Sequence, residues 1–211
     1  MAIYFDCNAT TPMAPEVFEA MHTFFLEEYG NPGSRTHEYG NRAKKGVEAA
    51  RREIATALGL KVGDRVIFTS GATESNNQAF FGLENYARKS QKNRIIVSSI
   101  EHKAVLEPAA ELEKRGFEVI RLQVCKNGQI DLEHLKNALN EKTFLVSIMH
   151  VNNETSVIQP LPQICEILKN SQAFFHTDSA QGFGKEMTML SNSRIDMISM
   201  SGHKLYGPKG I

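Results

Sequence analysis

Five stretches of the chain carry polar residues whose types and spacing could do chemistry. In Thr69-Ser70-Gly71-Ala72-Thr73-Glu74-Ser75-Asn76, small residues follow a β-branched run and open a helical pattern. A turn of that kind leaves backbone N–H groups free at the positive end of the helix dipole. Ser and Thr hydroxyls add donors, so the stretch makes an anion cradle that a phosphate would fit. The alternative is an ordinary helix cap by Ser70 or Thr73. It is not a Walker loop, because no Gly-Lys-Ser/Thr follows. His102, in Ser99-Ile100-Glu101-His102-Lys103, could stack on a flat ring or move a proton near neutral pH, or be a hydrogen-bonded structural residue. His150-Val151-Asn152-Asn153-Glu154-Thr155 is too polar for a core; it could offer an amide to a ligand, or simply form a turn.

His176-Thr177-Asp178-Ser179-Ala180-Gln181 follows the run Ala173-Phe174-Phe175. An aspartate at the end of a buried strand, beside a protonatable nitrogen, makes a charge-assisted pair. Such a pair keeps a pyridine ring protonated as an electron sink. His176 and Asp178 could instead be metal ligands, but no second spaced pair of His or Cys completes a shell, so no metal is expected. Ser199-Met200-Ser201-Gly202-His203-Lys204-Leu205-Tyr206-Gly207-Pro208-Lys209-Gly210 sets a lysine after small and hydroxyl residues, with Gly and Pro fixing a tight turn behind it. A partly buried lysine can lose its proton and form a Schiff base with an aldehyde. A solvated loop lysine is the alternative, weakened when five strand ends offer complementary groups.

The elements that must position these groups alternate along the chain. Helices are expected from about Pro15 to Glu28, with Val17, Phe18, Met21 and Phe25 at helical spacing, and from His37 to Leu58, on the stripe Ala43, Val47, Ala50, Ile54 and Leu58. A strand over Arg65–Thr69 then precedes a helix to about Arg88, and a strand over Arg94–Ser98 a helix to about Arg115. Strands at Phe117–Leu122, Thr143–His150, Ala173–Thr177 and Ile195–Met200 follow, with helices at Leu132–Leu139 and Leu161–Leu168. This alternation predicts an α/β, doubly wound fold: a mainly parallel sheet with helices on both faces and ligands beyond the carboxyl ends of the strands. No linker or repeat divides the chain, so one domain over 1–211 is expected.

Lys plus Arg and Asp plus Glu both number 24 in the 211 residues, so no overall field favours nucleic acid or an acidic membrane surface. No basic segment leads into an apolar run, and no stretch approaches the roughly 18 apolar residues of a membrane span, which predicts a cytoplasmic protein. Cys7, Cys125 and Cys165 are widely spaced, suggesting neither a zinc clip nor a disulfide framework and fitting a reducing compartment. Cys125 and Cys165 fall in strand and helix patterns that predict buried thiols.

Together these stretches resemble the class V aminotransferase branch of the fold-type-I pyridoxal-phosphate enzymes, and within it the cysteine desulfurases of the NifS/IscS type. Tyr4-Phe5-Asp6-Cys7-Asn8-Ala9-Thr10-Thr11-Pro12 and Gly30-Asn31-Pro32-Gly33-Ser34 join the motifs above, in order and spacing, nearly end to end. The resemblance implies that Lys204 holds pyridoxal 5'-phosphate as a Schiff base and then serves as acid and base. It implies that Asp178 pairs with the pyridine nitrogen, that His102 stacks on the ring and shuttles protons, and that Gln181 bonds the phenolic oxygen. Thr73, Ser201 and His203, with the backbone at Ala72, would hold the phosphate, and Asn153 would lie near the substrate carboxylate.

The implied reaction removes sulfur from L-cysteine, leaving L-alanine and an enzyme persulfide. The implied partners are a second copy, giving a homodimer, and a sulfur-accepting scaffold or carrier protein. The resemblance also places the small C-terminal domain, the nucleophilic cysteine loop and a substrate-binding arginine beyond Ile211, so the chain is expected to be an incomplete large domain, inactive alone, with two strand edges unpaired. Cys7 departs from the usual residue of the opening motif, and no catalytic cysteine is assigned. A selenocysteine lyase, a small-acid transaminase of the same branch, and a non-catalytic cofactor-binding remnant are the alternative readings.

Overall fold

The computed structural model describes residues 3–192 and 194–211. Five strands form one sheet: β1 (Arg94–Ser98), β2 (Glu118–Leu122), β3 (Thr143–Ser147), β4 (Phe174–Asp178) and β5 (Met197–Ser199). Their order is β2-β1-β3-β4-β5 and every pairing is parallel. Parallel neighbours need crossovers, supplied by α5 (Lys103–Lys114), α6 (Leu132–Ala138) and α7 (Leu161–Leu168). Ahead of the sheet come α1 (Pro15–Leu26), α2 (Glu38–Leu58), α3 (Ala72–Phe81) and α4 (Glu84–Lys89).

The strands read as continuous apolar runs because both faces are covered. Side chains alternate along a strand. Ile96, Val146 and Phe175 therefore join a core with Leu135, Ile164 and Leu168, while Ile95, Val97 and Phe144 join a second core with Phe80, Val105 and Leu112. Helix ends follow local chemistry. Asp131 caps α6 by accepting from the N–H groups of Glu133 and His134, and Gly59 ends α2 in the left-handed region at φ 62°.

The structure corrects the expected elements in several places. Arg65–Thr69 joins no strand, with Ile67 65% exposed, so the sheet is one strand short of expectation. The helix expected up to Arg88 breaks after Phe81, where Gly82 caps α3 and a Cβ would collide with the Gln78 carbonyl. The strand expected to reach His150 ends at Ser147, although Ile148 and His150 still donate to the carbonyls of His176 and Asp178. β4 runs one residue further than expected and so ends on Asp178 itself. Cys125 is exposed in a turn closed by Gly128 rather than buried in a strand. Cys165 is buried in α7, where burial pushes its thiol up to about 11. Among the described residues, no helix is long and apolar enough to cross a membrane.

Candidate active site

A parallel sheet gathers all its strand-to-helix loops at one end, and there a cavity of about 480 Å³ opens. All nine residues assigned roles from the sequence line it: Ala72, Thr73, His102, Asn153, Asp178, Gln181, Ser201, His203 and Lys204.

On one side lies the start of α3. Its cap, Gly71, makes no side-chain cap bond, and Ser70 turns away, its N–H and hydroxyl both donating to Glu74 Oε2 at 2.7 and 2.8 Å. Neither Ser70 nor Thr73 therefore caps the helix. The first-turn N–H groups, with the exposed Thr73, are left facing the cavity with the positive end of the dipole, an arrangement suited to an anion. Ser201, buried to 3% exposure, and His203 line the same cavity from the opposite loop.

On the floor is Asp178, 5% exposed. Its two oxygens are each held once: Oδ1 accepts from the Ala180 N–H at 2.9 Å and Oδ2 from Asn76 Nδ2 at 2.8 Å. A carboxylate has about four acceptor sites, so lone pairs remain for a ligand N–H. Gln181 Nε2 donates to the Asn8 carbonyl at 2.7 Å, while its Oε1 is buried with no partner. Buried polar atoms are rarely orphaned, so a ligand with a polar edge at this position matches the site.

His102 caps α5, its Nδ1 accepting from the Ala104 N–H at 3.1 Å. That bond leaves Nε2 as the protonated nitrogen of the neutral ring, and the side chain stays exposed at the cavity wall. The structural and the functional reading of His102 thus coexist in one geometry. Of the two asparagines, Asn152 builds the turn, accepting from Glu154, Thr155 and the Thr155 hydroxyl. Asn153 lines the cavity, with its amide 2.7 Å from Glu154 Oε1.

Lys204 closes a 3-10 turn over Gly202–Lys204 and is half-buried. Among the described residues it has no salt bridge. Burial lowers its pKa from the ordinary 10.5; Asp178 opposes that shift and Lys185 adds to it. A lysine of lowered basicity is the more reactive amine. His203 is lowered too, by burial and then by Lys204 and Lys209, so its imidazole is held neutral.

His176 is not in the cavity. It lies wholly inside the sheet, with Nδ1 2.8 Å from Ser147 Oγ and Nε2 3.0 Å from Ser199 Oγ. Both nitrogens are engaged, and no group of three potential ligands gathers anywhere among the described residues.

Sequence reasoning missed three supports of the site. Asn76, which holds Asp178, sits one turn after Thr73; the helical spacing hints at it, but the contact spans 102 residues. Glu101, beside His102, ties the ends of β1 and β3 together, accepting from Ser98 Oγ at 2.5 Å and the Met149 N–H at 2.7 Å. Asn8, Thr10 and Thr11 form a strap across the mouth: Asn8 donates to the Asn153 carbonyl at 3.1 Å, and Thr10 Oγ1 lies 3.1 Å from His203 Nδ1.

A sequence profile described as aminotransferase class-V matches residues 3–211. All 211 residues align at 49% identity with cysteine desulfurase IscS of Rickettsia bellii (strain OSU 85-389), covering 51% of it. Among solved structures, a NifS-like protein superposes with a TM-score of 0.94 at 42% identity, the whole of this chain matching 57% of that one. SspA in complex with cysteine superposes with a TM-score of 0.90 at 40% identity, 99% of this chain matching 59% of that one. The chain spans about half the length of the curated relatives it matches.

Proposed function

The chain belongs to the class V aminotransferase family, and from that premise we propose that it is the cofactor-holding large domain of a cysteine desulfurase that uses pyridoxal phosphate. Its fold is the parallel-sheet fold of the NifS- and IscS-like fold-type-I enzymes. The observation that carries the proposal is the convergence on one cavity of a half-buried lysine, a buried aspartate and a free helix N-terminus. Those are the amine, the acceptor and the anion cradle that an aldehyde, a pyridine nitrogen and a phosphate each require. The orphaned Gln181 Oε1 fits the same polar aromatic ligand.

In this reading Lys204 would hold the cofactor through Nζ, Asp178 would pair with the ring nitrogen, and His102 would lie against the ring. Thr73, Ser201, His203 and the backbone at Ala72 would take the phosphate, and Gln181 the phenolic oxygen. When bound, pyridoxal phosphate supplies an electron sink for bonds at the substrate α-carbon.

The chain's own residues do the rest. Asp178, fixed by Asn76 and Ala180, would keep a proton on the ring nitrogen without rearranging. Lys204, less basic than a free lysine, gives up and takes back a proton at Nζ. His102, which lines the cavity and accepts a hydrogen bond at Nδ1, would carry its proton on Nε2 and could pass it on there. Asn153 offers its side chain to the substrate carboxylate. In the overall reaction the C–S bond of L-cysteine breaks, a thiol's sulfur bonds the released sulfur, and that thiol's proton goes to the carbon, giving L-alanine and a persulfide. Cys165, buried with its pKa raised, is unsuited to be that thiol. A homodimer and a sulfur-accepting protein are the partners this reading supposes.

The test is a titration of the chain with pyridoxal phosphate, followed by visible absorbance and by borohydride trapping with mass spectrometry. A band that saturates, with the trapped mass on Lys204, is expected; in Lys204→Ala both disappear. Trapping spread over surface lysines, unchanged in Lys204→Ala, would sink the proposal.

A further inference from the structure

The turn that carries Lys204 is a single 3-10 turn, Gly202–Lys204. It closes on itself through Leu205 and Gly207, both donating to the Gly202 carbonyl at 2.9 and 3.0 Å. Immediately after it, Tyr206 adopts φ 59°, a left-handed conformation that a bulky side chain avoids unless its surroundings enforce it.

The enforcing group comes from the other end of the chain. Thr11 is buried, 7% exposed. Its N–H and its hydroxyl both donate to the His203 carbonyl, each at 2.9 Å, and the same hydroxyl accepts from the Tyr206 N–H at 2.9 Å. One side chain thus grips the backbone on both sides of Lys204. Ala14 adds a bond to the Tyr206 carbonyl at 2.8 Å. A hydroxyl uses its donor and an acceptor site here at once, which valine, of nearly the same shape, cannot do and serine can.

We propose that Thr11 is a positioning residue for Lys204: its hydroxyl, bonded to the His203 carbonyl and the Tyr206 N–H, fixes the lysine turn so that Nζ stays in the cavity above Asp178. This rests on the reading of Lys204 as the reactive amine, and it adds a residue that acts only through the lysine and touches no ligand itself. The half-burial of Lys204 and its lowered basicity are what the grip maintains. With the hydroxyl gone, the Tyr206 N–H loses its partner, the strained turn relaxes, and the lysine swings toward water.

The experiment compares the wild-type chain with Thr11→Val and Thr11→Ser, without cofactor. Amide hydrogen exchange is read on the peptide over 201–207, with the β1 peptide as folding control. Competitive acetylation across pH then gives the labelling midpoint of Lys204. In Thr11→Val the 201–207 peptide exchanges on the order of tenfold faster, and the Lys204 midpoint rises toward the ordinary 10.5. Thr11→Ser restores both.

A valine variant that matches wild type in exchange and midpoint overturns the proposal, as does a serine variant that behaves like valine. If valine unfolds the chain, the β1 peptide reports it, and Thr11→Ala, which adds no methyl beside the carbonyl, carries the comparison instead. Failure of the functional reading is separate. Expected shifts here with no Lys204-dependent visible band on adding pyridoxal phosphate remove the cofactor assignment and leave the grip. A normal band with no shifts does the reverse.

Discussion

Glu101 is a carboxyl sealed inside the strand ends, 6% exposed, with both of its hydrogen bonds on Oε1 and none on Oε2. Burial pushes it up to about 8; the bonds from Ser98 and Met149 pull the other way, and Asp178 nearby adds to the rise. An unfolded glutamate titrates near 4.5. Between those values the folded chain holds a proton that the unfolded chain has lost, so stability falls as pH rises through the window and the loss is complete above about 8. Glu101→Gln keeps the Oε1 acceptor and removes the titration. Urea unfolding should show wild-type stability declining from about pH 5 to about pH 9 and a flatter profile for the variant, which ends more stable by roughly 1–3 kcal/mol. Parallel profiles would mean that Glu101 is already ionised when folded. Since Glu101 braces the Met149 backbone beside the cavity, this also tests whether the site floor rests on a neutral acid.

Among the elements, β4 is the one on which the others lean, because His176 joins it to β3 through Ser147 and to β5 through Ser199. Burial holds this imidazole below its ordinary 6.5, with Asp178 opposing. The unfolded chain takes up that proton as pH drops below 6.5 while the folded chain resists it, so stability falls on the acid side. His176→Ala orphans two buried hydroxyls and opens a void. It should cost about 2–4 kcal/mol in urea unfolding near neutrality and make the acid-side fall less steep. An equally steep fall in the variant would assign acid sensitivity to other groups. β1, β3 and β4 were legible in the sequence because burial on both faces writes a continuous run such as Ile95-Ile96-Val97. Val66-Ile67-Phe68 is a similar apolar run yet joins no strand, since β-branching favours an extended backbone but does not specify a neighbour. The nine lining residues were legible because they sit in recognisable motifs, seven of them after strand ends and Ala72 and Thr73 at the start of α3. Asn76 and Thr11 were not, because their roles exist only through contacts made 102 and 192 residues away.

Across the whole molecule the apolar surface is unevenly distributed. Single exposed apolar residues are ordinary, but α1 contributes no buried residue and shows solvent Phe18 at 55%, Phe25 at 68% and Leu26 at 62%. A concentrated patch of this kind drives association. Sedimentation velocity should show the wild-type chain associating with rising concentration. Phe18→Asp with Phe25→Asp should weaken that association while changing unfolding stability by no more than about 0.5 kcal/mol per site. A large stability loss would show that α1 packs on the core after all. The strap reaches across the molecule in another sense, which concerns time. A ribosome delivers Thr11 well before its partner: the carbonyl it must grip belongs to His203, 192 residues later. The central pair β1 and β3 has both its strands some fifty residues before that point. The scaffold can therefore close on the emerging chain first, and the lysine is locked into place only once His203 has followed. A translation product halted short of His203 would carry the α3 side of the phosphate cradle and the aspartate, yet no amine to retain what they attract.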